Sequence, residues 1–452
     1  MLSLRPQGRS EVLRLVLAVV LSAGVVVLGV FLAKGGHGSR TARAAVRAEV
    51  PTVHSVPGQT GDTVVARSLR RGRMIVVIDQ PSPGLFAEQN ASIAQGAKVA
   101  VDKLNAGGGV AGKVRIELVP ESLDGLSAAA VQGRLRSVGA AALILPCDTD
   151  SQLSLAAGAA RYGTLMLAPC DLDPAAGRRY RTYWPVGMST RDEAAGLVSF
   201  MRTIGYGSVF IVSAPGSRYV ELLTSYFRSA ARRGGIQIVG SASVAMTTRD
   251  FSSLARTIQA ANPSPTNIFT ALPPPLVNRM AAGLQAQGVT QGVLGTSAMD
   301  TRLTLTTNAG ALENAAFPSY GFRREGSRAH SARRGRQAHR FAAEDLQVHR
   351  FVAGYKKLFG GVPVGSFPGL GFETIRLLKN AVREARSAEP SAIQRALARG
   401  LALEGVALTE RSYRPGGDHN PVGRVGVEKI VEGRLEPLLA IRPEQLEQLS
   451  AG

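Results

Sequence analysis

Of 452 residues only two are cysteine, Cys147 and Cys170, which excludes a disulfide-rich scaffold and leaves no thiolate with a histidine beside it as a nucleophile. The chain also lacks a G-x-S-x-G elbow and an H-E-x-x-H pair, so nothing supports enzyme chemistry and the expected protein is not an enzyme. Acids are scarce as well: 33 Asp and Glu face 53 Lys and Arg, a formal net charge of +20. Residues 1–73 carry eleven Lys and Arg against three acids, and residues 322–350 carry eight against three, which accounts for most of the excess. Both stretches read as linker or loop, so the charge points to anionic lipid headgroups and away from nucleic-acid readout. With 45% hydrophobic and 19% charged residues, the remainder is ordinary globular chain of two or three domains.

Long uncharged runs are rare too, and one stands out. Leu15 to Ala33 is nineteen residues without a charge. As a helix it would be about 28 Å long, close to the hydrocarbon thickness of a bilayer. A cleaved export signal has an apolar region of only about 7 to 15 residues with a small-residue site soon after it. Here the A-x-A candidate, Ala42-Arg43-Ala44, lies well past Ala33. The expectation is a transmembrane anchor or uncleaved signal over 15–33, with a short cytoplasmic segment at 1–14. Lys34 to Arg71 is Gly, Ala, Arg, Thr and Pro without periodicity, so 34–72 reads as a flexible basic linker.

From Met74 onward short apolar runs alternate with helical patterns. Strands are expected at Met74 to Ile78, Val114 to Val119, Ala142 to Leu145 and Leu165 to Ala168, with helices at Ala91 to Asn105, Ser127 to Val138 and Asp150 to Tyr162. The same rhythm returns after a helix at Thr190 to Ile204, with strands at Ser208 to Val212, Gln237 to Val244, Asn267 to Thr270 and Gly292 to Gly295. Continuous apolar strands separated by helices belong to parallel sheets covered on both faces. The fold class is therefore α/β.

Two motifs invite over-reading. Gly107 to Gly112 satisfies G-x-G-x-x-G, but it follows a helix and opens a strand, whereas a phosphate cradle must follow a strand and open a helix. No cofactor is expected. His330, His339 and His349 stand nine and ten residues apart in a basic stretch, which fits neither the i, i+3 nor the i, i+4 spacing of helical metal ligands. A solvated basic insertion is expected over 322–350, and no metal.

The run Gln95 to Gly112, with Leu145-Pro146-Cys147-Asp148, Leu165 to Asp171, Arg218-Tyr219, Arg249 to Ser252, Phe351 to Tyr355 and Gly416-Gly417-Asp418 in this order, resembles the type 1 periplasmic solute-binding proteins of the branched-chain amino acid family. The resemblance implies a two-lobed fold of that type, each lobe a doubly wound parallel sheet, preceded here by the N-terminal transmembrane helix. Its boundaries would be 73–188 for the first part of lobe one, 189–319 for lobe two, 320–404 for the return to lobe one, and 405–452 for the last hinge crossing and edge strands. It further implies an extracytoplasmic domain on a single-pass membrane anchor that captures a small polar ligand between its lobes. Its partners would be an ABC permease and ATPase. The alternative is an envelope scaffold that keeps the fold without a ligand.

The ligand residues implied are Asp148, Thr149 and Ser151 after the third strand, Asp171 after the fourth, Tyr219 in the second lobe, and Thr190, Arg191, Ser297 and Met299 across the hinge. Asp148 stands where the family offers a hydroxyl to a ligand carboxylate, and Leu172 stands where a second hydroxyl is expected. Like charges disfavour a carboxylate there, so a cation, an amide or a polyhydroxylated solute fits better. The acid the family uses for a ligand ammonium is absent at Ser297 itself. Cys147 and Cys170 each stand just past one of two consecutive strands, and neighbouring strands lie about 4.8 Å apart, within disulfide reach. Two buried thiols are the alternative, and export favours the bond.

Overall fold

The computed structural model describes residues 63–80, 83–321, 336–403, 411–416 and 419–450, and of 336–347 the backbone alone. The expected span at 15–33 lies outside these residues. Among those described, no helix is long and apolar enough to cross a membrane.

Lobe one is built on a five-stranded parallel sheet. Its strands are β1 (Arg73–Asp79), β2 (Arg115–Glu121), β3 (Ala142–Ile144), β4 (Leu165–Ala168) and β5 (Tyr183–Pro185), in the order β2-β1-β3-β4-β5. β3 and β4 are buried at every position, as unbroken apolar runs under helices on both faces must be. The connecting helices are Ala87–Ala106, Ala128–Val138 and Thr149–Tyr162. Ser127 caps the second through its side chain, and Gly139, with φ 69°, closes it in the left-handed region.

Lobe two holds β6 (Ser208–Ser213), β7 (Gln237–Ser243), β8 (Asn267–Thr270), β9 (Gly292–Leu294) and β10 (Ala316–Ser319). After β11 (Ala402–Leu403), β12 (Arg411–Ser412) and β13 (Val422–Gly423), which pair only with one another, come β14 (Val425–Val431) and β15 (Arg434–Ile441). β14 lies antiparallel between β10 and β15, giving the order β15-β14-β10-β9-β8-β6-β7. The second sheet is thus mixed, which corrects the expectation of a purely parallel one: the tail supplies a hairpin in place of a crossover.

The chain passes between lobes three times: at 186–189, after β10, and between Pro390–Ala398 and β14. On its return the helix Phe367–Ala385 packs on Ala87–Ala106 through a glycine contact. A Cβ on Gly96 would stand 1.7 Å from the Pro368 carbonyl oxygen, and one on Gly371 would stand 2.0 Å from that of Ile93. Only glycine permits this approach.

Two further expectations are corrected. The linker read over 34–72 contains the helix Thr63–Arg70, whose Val65 is buried among the lobe-one core, so apolar anchoring overrides a composition that looks like tether. The insertion read over 322–350 as solvated loop is helical from Arg336, where the helix Arg336–Phe359 begins.

Candidate functional site

Asp148 closes the β3 loop and caps the helix Thr149–Tyr162, accepting from the Ser151 amide at 3.3 Å. The Ser151 hydroxyl lies 2.7 Å from the Asp148 carboxylate and 2.7 Å from that of Asp124, and its single proton can serve only one of them. Beside this pair is a cavity of about 220 Å³ at the carboxyl ends of the lobe-one strands, lined by Asp79, Asp124, Asp148, Asn90, Phe86 and Ser151 among others. Asp79 ends β1 and accepts from the Leu123 amide at 3.0 Å. Burial pushes its carboxyl up to about 6, and the neighbouring Asp124 charge adds to the rise.

One residue of this wall, Phe86, touches the other lobe. The Phe86 ring meets Tyr219 edge-on with centroids 5.1 Å apart, and the Tyr219 hydroxyl donates to Thr296 Oγ1 at 2.9 Å. Next to it the Glu88 carboxylate accepts from the Arg302 amide at 2.8 Å and the Leu303 amide at 2.9 Å, capping the helix Arg302–Thr306 from across the cleft. Gln89 Nε2 donates to the Ala298 carbonyl at 3.1 Å. These contacts bridge the two lobes.

Behind Tyr219 is a buried polar cluster. Glu193, on the helix Thr190–Thr203, accepts from the Ser297 amide at 2.5 Å. Burial pushes its carboxyl up to about 7, opposed by the hydrogen bonds from Ser297. The Tyr320 phenol beside it is also raised by burial foremost, with the Glu193 charge next. An acid, Glu193, thus contacts Ser297 from 104 positions earlier in the chain. Asp171 is buried and lies 3.2 Å from the Tyr183 hydroxyl, which also reaches Gln152 Oε1 at 3.0 Å. The hinge is aromatic: Trp184 stacks on His419 with centroids 3.8 Å apart and meets Tyr413 edge-on, while the Tyr413 hydroxyl donates to the Pro185 carbonyl.

Of the residues named from sequence, Asp148 and Ser151 line the cavity, and Tyr219 packs against Phe86 in its wall. Asp171, Thr190 and Ser297 are buried at the inner, hinge side, where the Thr190 amide donates to the Asp171 carbonyl at 3.1 Å. Thr149 is buried in the first turn of its helix. Met299 is fully buried against Gly295, and Arg191 lies over the Tyr226 ring at 5.7 Å. Asp79, Phe86, Asp124 and Glu193 went unnoticed. Asp79 carried a signal, as an acid closing an apolar strand. Cys147 and Cys170 are disulfide-bonded with Cα atoms 5.3 Å apart, as adjacent strand ends allow. Among the described residues no group of three or more His, Cys, Asp and Glu could hold a metal.

The fold is shared with solved structures. A leucine-binding protein, LivK, from Thermotoga maritima superposes with a TM-score of 0.67 at 18% identity, over 82% of this chain and 99% of that one. The branched-chain amino acid transporter binding protein LivJ from Streptococcus pneumoniae, solved with isoleucine, gives 0.67 at 16% identity over 82% and 99%. A solute-binding protein of an ABC transporter from R. palustris, solved with benzoate, gives 0.67 at 14% over 82% and 97%. No match is found among curated proteins. A family profile described as periplasmic binding protein matches residues 76–433, well over half of the sequence, and the chain belongs to that family.

Proposed function

We propose that this protein captures a small solute carrying a cationic or hydrogen-bond-donating group and delivers it to an ABC permease and ATPase. One observation carries the ligand class: the lobe-one cavity beside the Phe86 ring is lined by three carboxylates, Asp79, Asp124 and Asp148. Its 220 Å³ is the room of about seven waters, which suits a small metabolite. The relatives solved with isoleucine and benzoate hold carboxylate ligands, and a carboxylate here would meet like charge. An ammonium or guanidinium would meet acceptors, with the Phe86 ring available for cation–π contact.

Capture needs no chemistry, because a ligand that binds the closed state better shifts the lobes toward closure. The domain would work outside the cytoplasm, held to the cell membrane by the segment at 15–33, with delivery at the membrane surface.

Calorimetric titration of small amines, guanidines and amides, with leucine and benzoate as comparison, tests the reading. Micromolar binding of a cationic solute, weakened at least tenfold by Asp148→Asn, is expected; a tenfold loss is about 1.4 kcal/mol. Micromolar binding of leucine or benzoate by the unmodified protein would refute the charge argument.

A further inference from the structure

The strands of lobe one start at the pole opposite the cleft, where the helix Thr63–Arg70 leads into β1. Gly72 accepts from the Arg115 amide at 2.8 Å, so the point of arrival lies beside the start of β2. The Asn105 side chain clamps that start, donating to the Ile116 carbonyl at 2.7 Å and accepting from its amide at 3.0 Å. Arg115 Nη2 donates to the Asn105 carbonyl at 3.4 Å. Arg71, Lys113, Arg115 and Lys103 are therefore exposed on one continuous floor.

The returned helices extend it. Lys103 Nζ sits 5.8 Å above the Phe372 ring. Its ammonium is disfavoured by burial first, then by Arg350, Arg376 and Lys379, and that of Lys379 by burial, then by Arg383 and Arg376. Cations here face cations. Glu373 pairs with Arg376 at 3.0 Å, but among the described residues no carboxylate pairs with Lys103, Lys113, Lys379 or Arg383. Basic residues in a last helical turn complement the helix dipole, which accounts for the sign of Lys103 and Arg383 individually. It does not account for the convergence of three helices and two strand starts on one face, where Arg73 pairs with Glu117 at 3.2 Å and Arg376 with Glu373 but the other cations named have no paired carboxylate among the described residues.

We infer that this pole of lobe one is a docking surface for anionic phospholipid headgroups, reversible and sensitive to salt. The choice of a lipid partner rests on the reading of 15–33 as a membrane anchor. On the sequence reading of 34–62 as a flexible linker, its 29 residues would have a root-mean-square span of about 30 Å, which would keep the pole within reach of the surface and raise its effective concentration there. Headgroup attraction fades within a Debye length of about 8 to 10 Å, so a flat basic face can use it where a scattered charge cannot. Docking by this pole leaves the cleft, at the other end of the same strands, open to solute.

The test uses the full chain with a dye on Ala106→Cys, an exposed position on this floor, and vesicles of phosphatidylcholine alone or with 30% phosphatidylglycerol, each carrying an acceptor on a small fraction of headgroups. Energy transfer is expected to at least double with phosphatidylglycerol. It should return to the neutral-lipid value in 0.5 M salt, and Lys103→Glu/Lys379→Glu/Arg383→Glu should abolish the gain. A second variant, Arg71→Glu/Lys113→Glu, should reduce it at least twofold and guards against misfolding of the first. Equal transfer to both vesicles, or a gain that both variants retain, would overturn the inference. So would loss of binding to soluble polyphosphate in the variants with lipid transfer unchanged, which would assign the face to another polyanion. Failure to float with neutral vesicles would sink the anchor reading alone, since salt-sensitive transfer to phosphatidylglycerol would still support the docking face.

Discussion

Removing the Glu88 carboxylate should open the molecule. This side chain leaves lobe one and caps the helix Arg302–Thr306 of lobe two through two amides at 2.8 and 2.9 Å, so its bonds exist only when the lobes are closed. Two charge-assisted bonds at a helix N-terminus would be worth several kcal/mol if dry, but the site is partly exposed, which reduces the net to about 1 to 2 kcal/mol. That difference is a factor of about 5 to 30 in the ratio of closed to open protein. Because Glu88 does not line the cavity, Glu88→Ala should weaken ligand binding by up to that factor through the conformational equilibrium, the full factor applying only where the open state dominates. Glu88→Gln, which keeps an acceptor without the charge, should lose about half as much free energy. Small-angle scattering without ligand gives the independent reading, a larger radius of gyration for Glu88→Ala at an unchanged melting temperature. An unchanged radius together with unchanged affinity would refute the argument that this carboxylate latches the lobes.

Three further outcomes are expected. Cys170→Ala opens the disulfide to Cys147, 23 positions away, and should cost about 3 kcal/mol in the chain-entropy model, visible as a melting point several degrees lower that dithiothreitol no longer affects. Glu193 titrates near 7 when folded against 4.5 as its ordinary value, so the folded state holds the proton more tightly and stability falls as pH rises from about 4.5 to 7. Glu193→Gln should therefore match the unmodified protein at pH 4 and exceed it at pH 8 by up to about 3 kcal/mol in denaturant unfolding; a deficit at pH 8 would show that the ionised carboxylate is compensated. Gly371→Ala places a Cβ 2.0 Å from the Ile93 carbonyl oxygen and should destabilise by at least about 3 kcal/mol, checked by urea midpoint.

Much of the fold was legible where burial is continuous. β4 and β8 match the apolar runs Leu165 to Ala168 and Asn267 to Thr270 residue for residue, because a strand covered on both faces has no polar position to blur its ends. β5 escaped: three residues ending in Pro185 carry no period, and proline is tolerated because the strand lies at the sheet edge. The helix Thr63–Arg70 escaped because its composition resembles the tether before it. At the site, Asp148 was visible as an acid after a strand, but its capping of Ser151 depends on the helix start, and its company with Asp79 and Asp124 depends on strand order. Glu193 beside Ser297 could not be read at all, since the contact exists only once the first crossing lays the helix Thr190–Thr203 against lobe two.

The only tryptophan of the chain is Trp184, and it stands at the hinge, held between rings of the last crossing, His419 and Tyr413. Intrinsic emission excited at the indole band therefore has a single source, and that source sits at the pivot about which the lobes turn. A change in the stack with His419 alters contact quenching. The protein thus carries its own optical gauge of opening, so solute capture can be followed in unlabelled material, at equilibrium or by stopped flow.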